Sequence, residues 1–251
     1  MFPVRLSLVT YNLWNTVRWP LRAPALQHFV ERFQPDIFCV QELRAETQTF
    51  LDQVMPKHTR VHDPFPGWTC EGNIYWQRDL LEAVTHGAED IGLLEPERRL
   101  FWVRLRVKAS DRTMVVSTAH FTYPLHPQES ATGLSPRVEQ TRRTITALQR
   151  LVQDTEPAFF MGDLNDPIHP TRLLHEAGYQ SCFTALGLRC PPTFPCAPTA
   201  HMPAEASGLS LTVDWIMANP QARAVAAQVP QCYHGDVGPS DHWPVLAVYE
   251  V

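Results

Sequence analysis

The chain opens with a strand, a helix and a second strand within its first forty-odd residues, and that order limits the folds open to it. Val4 to Thr10 alternates weakly and stops at Tyr11-Asn12, which reads as a buried strand. Leu26, Phe29, Val30 and Phe33 recur at helical spacing over Ala25 to Phe33, with Pro24 near the first turn and Gln34-Pro35 as a stop. Asp36 to Val40 is short, apolar and partly β-branched, so a second strand follows and ends at Gln41-Glu42. A strand, helix and strand in this order form the parallel unit of an α/β protein.

The spacing predicts a helix over Ala45 to Met55. It then predicts an antiparallel meander of Ile74 to Trp76, Leu100 to Val107 and Met114 to Ala119. A helix over Ser135 to Val152 is expected to bury Val138, Ile145, Leu148 and Val152, with Arg137, Gln140 and Thr144 on another face. Ala158 to Met161 reads as a strand, Thr171 to Ala177 as a helix capped by Gly178, and Val213 to Met217 and Val245 to Val251 as the last strands. No linker or repeat divides the 251 residues, so one domain over 1–251 is expected. The 23 prolines against 11 glycines predict stiff loops, the densest being Cys190 to Pro203.

Charge narrows the partners. Twenty-one basic against 26 acidic side chains give −5, and no basic tract is present, so duplex nucleic acid is not favoured. The six cysteines have no C-x-x-C spacing and read as reduced thiols, although Cys190 and Cys196 bracket a proline loop and could pair in an oxidising compartment. With no signal-peptide pattern and no spanning apolar run, a cytoplasmic location is expected.

Polar residues recur at the expected strand ends: Asn12, Glu42, His120, Asp163 and Asn165 in Gly-Asp-Leu-Asn, and Asp241-His242 before the last strand, with Asp214 within Val-Asp-Trp-Ile. In an α/β fold such ends converge on a rim, where sites form. Glu42 and Asp241 are hard oxygen ligands suited to Mg²⁺ or Mn²⁺, and Asn12 adds an amide. Asp163 is a candidate base for an attacking water, and Asn165 a holder of that water or a donor to phosphate. His242, oriented by Asp214, and His120 are candidate donors where negative charge develops. Each of these residues taken singly has an ordinary structural explanation; their joint order does not.

The segments Thr10-Tyr11-Asn12, Gln41-Glu42, Gly72-Asn73, Thr118-Ala119-His120, Gly162-Asp163-Leu164-Asn165, Val213-Asp214-Trp215-Ile216 and Ser240-Asp241-His242 together resemble the endonuclease/exonuclease/phosphatase superfamily. The resemblance implies a deoxyribonuclease-I-like four-layer α/β sandwich, with two mixed β-sheets packed face to face and helices outside. It implies metal-dependent phosphate-ester hydrolysis, with Glu42 as principal metal ligand and Asn12 and Asp241 close by. Asp163 and Asn165 take the water and phosphate roles, and His242 pairs with Asp214. His120 matches the second histidine of the deoxyribonuclease and sphingomyelinase branches. The Cys-Asp-Arg run of the inositol 5-phosphatases is missing around Asp214, which marks that branch down.

The substrate is less constrained. Trp14, Trp19 and Tyr123 lie in loops beside the expected rim and offer faces for a base or a cationic head group. Arg137 and Gln140 resemble residues that relatives place near the phosphate. Pro192-Thr193-Phe194-Pro195 resembles a loop that reaches the rim in small bacterial members. The reading expected from these features is a hydrolase of a small or lipid-derived phosphate ester. A nuclease on short or single-stranded nucleic acid is the alternative, and a non-catalytic binding module ranks last because no core group is missing.

Overall fold

The computed structural model describes residues 3–196 and 210–251. The opening unit forms as the pattern requires. Strand β1 (Arg5–Asn12) leads through helix α1 (Ala23–Phe33) to β2 (Ile37–Gln41), and the two strands pair in parallel, with Asn12 opposite Gln41. Pro24 occupies the first turn of α1, where a missing N–H costs no helical bond. Gln34 ends the helix in the left-handed region and returns its N–H to Val30 O.

Two six-stranded mixed sheets follow. The remaining strands are β3 (His58–Arg60), β4 (Gly72–Gln77), β5 (Leu81–Glu89), β6 (Leu100–Val107), β7 (Thr113–His120), β8 (Ala158–Asp163), β9 (Gln180–Ser181), β10 (Asp214–Ala218), β11 (Arg223–Gln228) and β12 (Val245–Glu250). The first sheet runs β11-β12-β1-β2-β4-β3 and the second β5-β6-β7-β8-β10-β9. Pairing is parallel at β1/β2 and at β7/β8 and antiparallel elsewhere. The other helices are α2 (Ala45–Val54), α3 (Gly67–Cys70), α4 (Pro127–Thr132), α5 (Arg137–Leu151), α6 (His169–Glu176) and α7 (Cys182–Ala185).

Strand alternation builds the layers. Leu6, Leu8, Ile37, Cys39 and Ile74 of the first sheet meet Val103, Leu105, Val116, Phe159, Met161 and Ile216 of the second in one central core. The alternate residues Val9, Tyr11, Phe38 and Val40 turn outward onto Leu26, Phe29 and Leu51 of α1 and α2. Val115, Ala158 and Phe160 turn outward onto Leu148 and Leu174 of α5 and α6. Strands buried on both faces need apolar residues at every position, and each such side chain contributes about 1.5–3 kcal/mol when fully buried. The expected four-layer arrangement is therefore the one observed.

Three local expectations need correction. Ile74 to Trp76 does not neighbour Leu100 to Val107 in one meander; β4 pairs with β2 and β3, and the chain crosses to the other sheet through β5. Strand β5 escapes a periodicity reading because it lies at the sheet edge and its residues 82–85 are exposed. The face of α5 that is buried is the polar one: Arg137, Gln140, Thr141, Thr144, Ala147 and Leu148, while Val138 and Ile145 are half-buried. This is tolerable because Thr141 and Thr144 return their hydroxyls to Arg137 O and Gln140 O at 2.6 and 2.8 Å. Finally, α6 starts at His169, ahead of the expected Thr171.

The C-terminal ends of β1, β2, β7 and β8 and the N-terminal ends of β4, β10 and β12 gather at one rim. Register fixes this: Asp163 stands opposite His120 on one side and Asp214 on the other. Gly162 makes the β7/β8 approach feasible, since a Cβ there would lie 2.0 Å from Ala119 O.

Candidate active site

Each strand end delivers one polar group, and six of them form a connected cluster. Asn12 Nδ2 donates to Asp163 Oδ2 at 3.0 Å and to Glu42 Oε1 at 3.3 Å, so the end of β1 bridges the two sheets. His120 lies between the same carboxylates, with Nε2 3.4 Å from Asp163 Oδ2 and Nδ1 4.0 Å from Glu42 Oε1. His242 pairs through Nδ1 with Asp214 Oδ2 at 2.8 Å, and its Nε2 is 3.8 Å from Asp163 Oδ2. Ligand atoms of Asp163, Asp214 and His242 lie within 4.8 Å of one another, close enough to hold a metal ion. The 2.8 Å bond within that group is equally the arrangement of a carboxylate holding an imidazole.

The remaining expected residues divide. Asp241 follows Ser240, whose hydroxyl donates to Asn12 O at 2.6 Å and so locks the last loop to β1. Asn165 donates its amide to Phe121 O at 2.9 Å and its backbone N–H to Asp163 Oδ1 at 2.9 Å. Trp14 is half-buried beside the cluster, and its N–H donates to Asn12 Oδ1 at 2.9 Å. Tyr123 is exposed, with its ring against His126. Arg137 and Gln140 are not brought to the cluster. Arg137 is buried and donates to Glu129 at 2.6 and 3.0 Å and to Thr122 O at 2.9 Å, while Gln140 binds Thr122 and Gly92. Both hold the chain that follows His120.

Other residues at the site are given no role by the sequence reading. Asn15 donates to Glu42 Oε2 at 3.3 Å. Gln41 donates to Thr10 Oγ1 at 3.0 Å and to Thr118 Oγ1 at 2.8 Å, joining the sheets beneath the cluster; the sequence marks it as a polar residue ending a buried strand, within the Gln41-Glu42 segment, but gives it no partner. Thr193 Oγ1 accepts from the N–H groups of Val213 and Asp214 at 3.0 and 3.1 Å, and the Phe194 ring lies 4.7 Å from that of His242. The Pro192 to Pro195 loop thus reaches the rim, while residues 197–203 of the proline-rich segment lie outside the described residues. Cys190 and Cys196 are free thiols. Trp14, Asn15, Glu42 and Asn165 all have positive φ, between 35° and 55°. Such backbone persists where surrounding contacts over-determine it, and it clusters at functional sites.

Burial and neighbouring charge separate the titrations. Burial pushes Asp163 up to about 7, against the opposing charge of His242. Burial also pushes Asp241 up to about 6, with the Glu42 carboxylate adding to the shift. His242 is buried, which disfavours its charge, yet Asp214, Asp163 and Asp241 outweigh this and hold it well above the ordinary imidazole value. His120 goes the other way, lowered by burial and then by Arg98, His242 and Arg44. One histidine is therefore held cationic and the other neutral near pH 7, and one carboxylate is poised to take a proton.

An imidazole held by a carboxylate, a second buried carboxylate raised in pKa and the carboxylates of Glu42 and Asp241 thus gather at one rim. The sequence model of the Endonuclease/Exonuclease/phosphatase family matches residues 9–242, and the chain belongs to that family. Solved structures agree in fold. The chain is similar to D. rerio TDP2 complexed with a single-strand DNA product (TM-score 0.81, 16% identity, covering 98% of this chain and 99% of that one). It is similar to a Bacteroides thetaiotaomicron mannosyl-6-phosphatase (0.76, 17%, 97% and 99%) and to the human Nocturnin catalytic domain with bound sulfate (0.72, 16%, 99% and 94%). A search of curated proteins found no significant match.

Proposed function

We propose that the protein is a Mg²⁺- or Mn²⁺-dependent hydrolase of phosphate esters, acting on a small or lipid-derived substrate. The observation that supports this best is the connected cluster of Asn12, Glu42, His120, Asp163, Asp214 and His242 across two sheets. The donor set fits a hard divalent cation: Glu42 and Asp241 bring like charge together, burial raises Asp241, and a cation between them relieves both. Glu42, Asp241 and Asn12 would hold it, and when bound it supplies neutralising charge to phosphoryl oxygens.

The chain's own groups account for the rest. Asp163 takes a proton from the attacking water as its oxygen bonds to phosphorus and the ester oxygen leaves. Cationic His242, held by Asp214, donates to a phosphoryl oxygen as negative charge builds there. Neutral His120 is a second donor. Asn165 holds the loop after β8 so that Asp163 keeps its aim. Among arginines near His120, Arg98 is paired with Glu71 at 2.9 Å and Arg44 lies 3.6 Å from it, which favours a compact ester over a long polyanion.

The test compares bis(p-nitrophenyl) phosphate, a single-stranded oligonucleotide and sphingomyelin with Mg²⁺. Hydrolysis of a small or lipid ester, and loss of at least 10³-fold in Glu42→Ala, is expected. Efficient cleavage of the oligonucleotide alone would move the assignment to a nuclease. A Glu42→Ala enzyme with full metal-dependent turnover would remove the metal assignment.

A further inference from the structure

Arg22 stands at the N-terminus of α1, fully buried, and does not touch the catalytic cluster. Both circumstances oppose a cation. Burial strips its hydration, and the helix N-terminus already carries partial positive charge. The structure offsets this with backbone dipoles. A guanidinium has five N–H groups, and here all five donate to main-chain carbonyls. Nε donates to Val17 O at 2.7 Å. Nη1 donates to Leu13 O at 2.9 Å and also to Pro239 O. Nη2 donates to Trp14 O and Asn15 O, both at 3.1 Å. The rings of Trp14 and Trp19 lie with centroids 5.2 and 5.7 Å from its Cζ.

The acceptors come from two segments that carry site residues. Four belong to residues 13–17, which leave β1 directly after Asn12 and hold Trp14 and Asn15 at positive φ. The fifth belongs to Pro239, next to Ser240 and Asp241. The side-chain amide of Asn15 continues the chain of contacts to Glu42 Oε2. Ser240 closes the loop on Asn12 O.

We propose that Arg22 is a positioning residue. Its guanidinium clamps the 13–17 segment to the Pro239–His242 segment, and so sets Asn15 and Asp241 about the carboxylate of Glu42. This rests on the reading of Glu42 and Asp241 as cation ligands. Lysine cannot replace it, since an ammonium has three donors and no planar fork with which to span two segments.

The experiment measures Mn²⁺ binding by the loss of the free-ion electron paramagnetic resonance signal, together with steady-state hydrolysis of bis(p-nitrophenyl) phosphate. Wild type, Arg22→Lys and Asn15→Gly are compared, with far-ultraviolet circular dichroism as the check on folding. Arg22→Lys is expected to bind Mn²⁺ about tenfold more weakly and to lose about tenfold in kcat with KM little changed, the size usual for partners that orient ligands. Asn15→Gly keeps the buried cation and tolerates the backbone angle, so it isolates the link to Glu42. It is expected to weaken Mn²⁺ binding in the same direction by a smaller factor. If Arg22→Lys fails to fold, Asn15→Gly decides. Wild-type Mn²⁺ affinity in the folded variants would overturn the clamp alone. Absence of Mn²⁺ binding in the wild type would overturn the reading of the metal ligands and the clamp with it.

Discussion

Asp163 is asked to do two things that conflict. In the proposed mechanism it must be ionised to accept a proton from water, and it sits in a buried cluster that disfavours its charge. Its rise to about 7 places the proton-accepting form near neutral pH, where a general base is most useful. Activity is therefore expected to climb with pH through about 7 and to fall again where His242, held well above ordinary imidazole, loses its proton. The same shift has a stability consequence. The folded state binds this proton more tightly than the unfolded chain does, so the group's contribution is favourable at low pH and is lost as pH rises through about 7. Asp163→Asn removes the conflict. At pH 8 it should lose about 10³-fold or more in turnover and gain ~2–4 °C in Tm, the equivalent of about 1 kcal/mol in a chain of this size. A calorimetric scan beside a pH–rate profile checks both. A variant that is both slower and less stable at pH 8 would show that Asp163 is held by its contacts and not strained by them.

The strands that bring these groups together were legible where burial on both faces forced an apolar run. Val4 to Thr10, Asp36 to Val40 and Ala158 to Met161 are of this kind, and they deliver Asn12, Glu42 and Asp163. Edge strands such as β5 and β11 were not, because about half their residues face water and no periodic pattern survives. Helix α5 keeps part of its expected stripe, with Leu148 buried and Ile145 and Val152 packed against the core, but its buried face is turned toward Arg137, Gln140, Thr141 and Thr144 for a related reason. Local alternation counts methyl groups and cannot know that Arg137 has Glu129 waiting eight residues upstream. That contact also explains why Arg137 and Gln140 hold the loop after His120 instead of facing the rim. The Pro192–Pro195 loop is legible in sequence only as a resemblance, and what Thr193 does there is not, because its partners are backbone groups twenty residues away. Thr193→Val removes the acceptor of two buried N–H groups while keeping the shape. It is expected to cost about 1–3 kcal/mol and, since Asp214 is one of those donors, to lower kcat more than KM changes. Urea unfolding together with steady-state kinetics reads both effects.

At the scale of the molecule, the site exists only while two sheets keep one spacing. Asn12 and Glu42 leave the first sheet, and His120, Asp163 and Asp214 belong to the second, so a slide of about 1 Å between layers would misplace the proposed water-activating group relative to the proposed cation ligands. An apolar interface resists such a slide through the interdigitation of its side chains, but it does not aim any polar group. Gln41 supplies direction. Its amide reaches Thr10 on its own sheet and Thr118 on the other, at the end of the core nearest the cluster. Its carbonyl oxygen is buried without a protein hydrogen bond among the described residues, so stability alone does not explain the choice of glutamine. Gln41→Met fills nearly the same volume and severs both links. Replacing one partner strands the Thr10 and Thr118 hydroxyls, at a cost of about 1–2 kcal/mol. If the sheets are held in register by this bond, turnover should fall about tenfold with KM nearly constant, and a second change, Thr10→Val with Thr118→Val, should recover stability without recovering kcat. Recovery of both would mean that the amide only satisfies its neighbours, and that the packed core alone holds the two halves of the site in place.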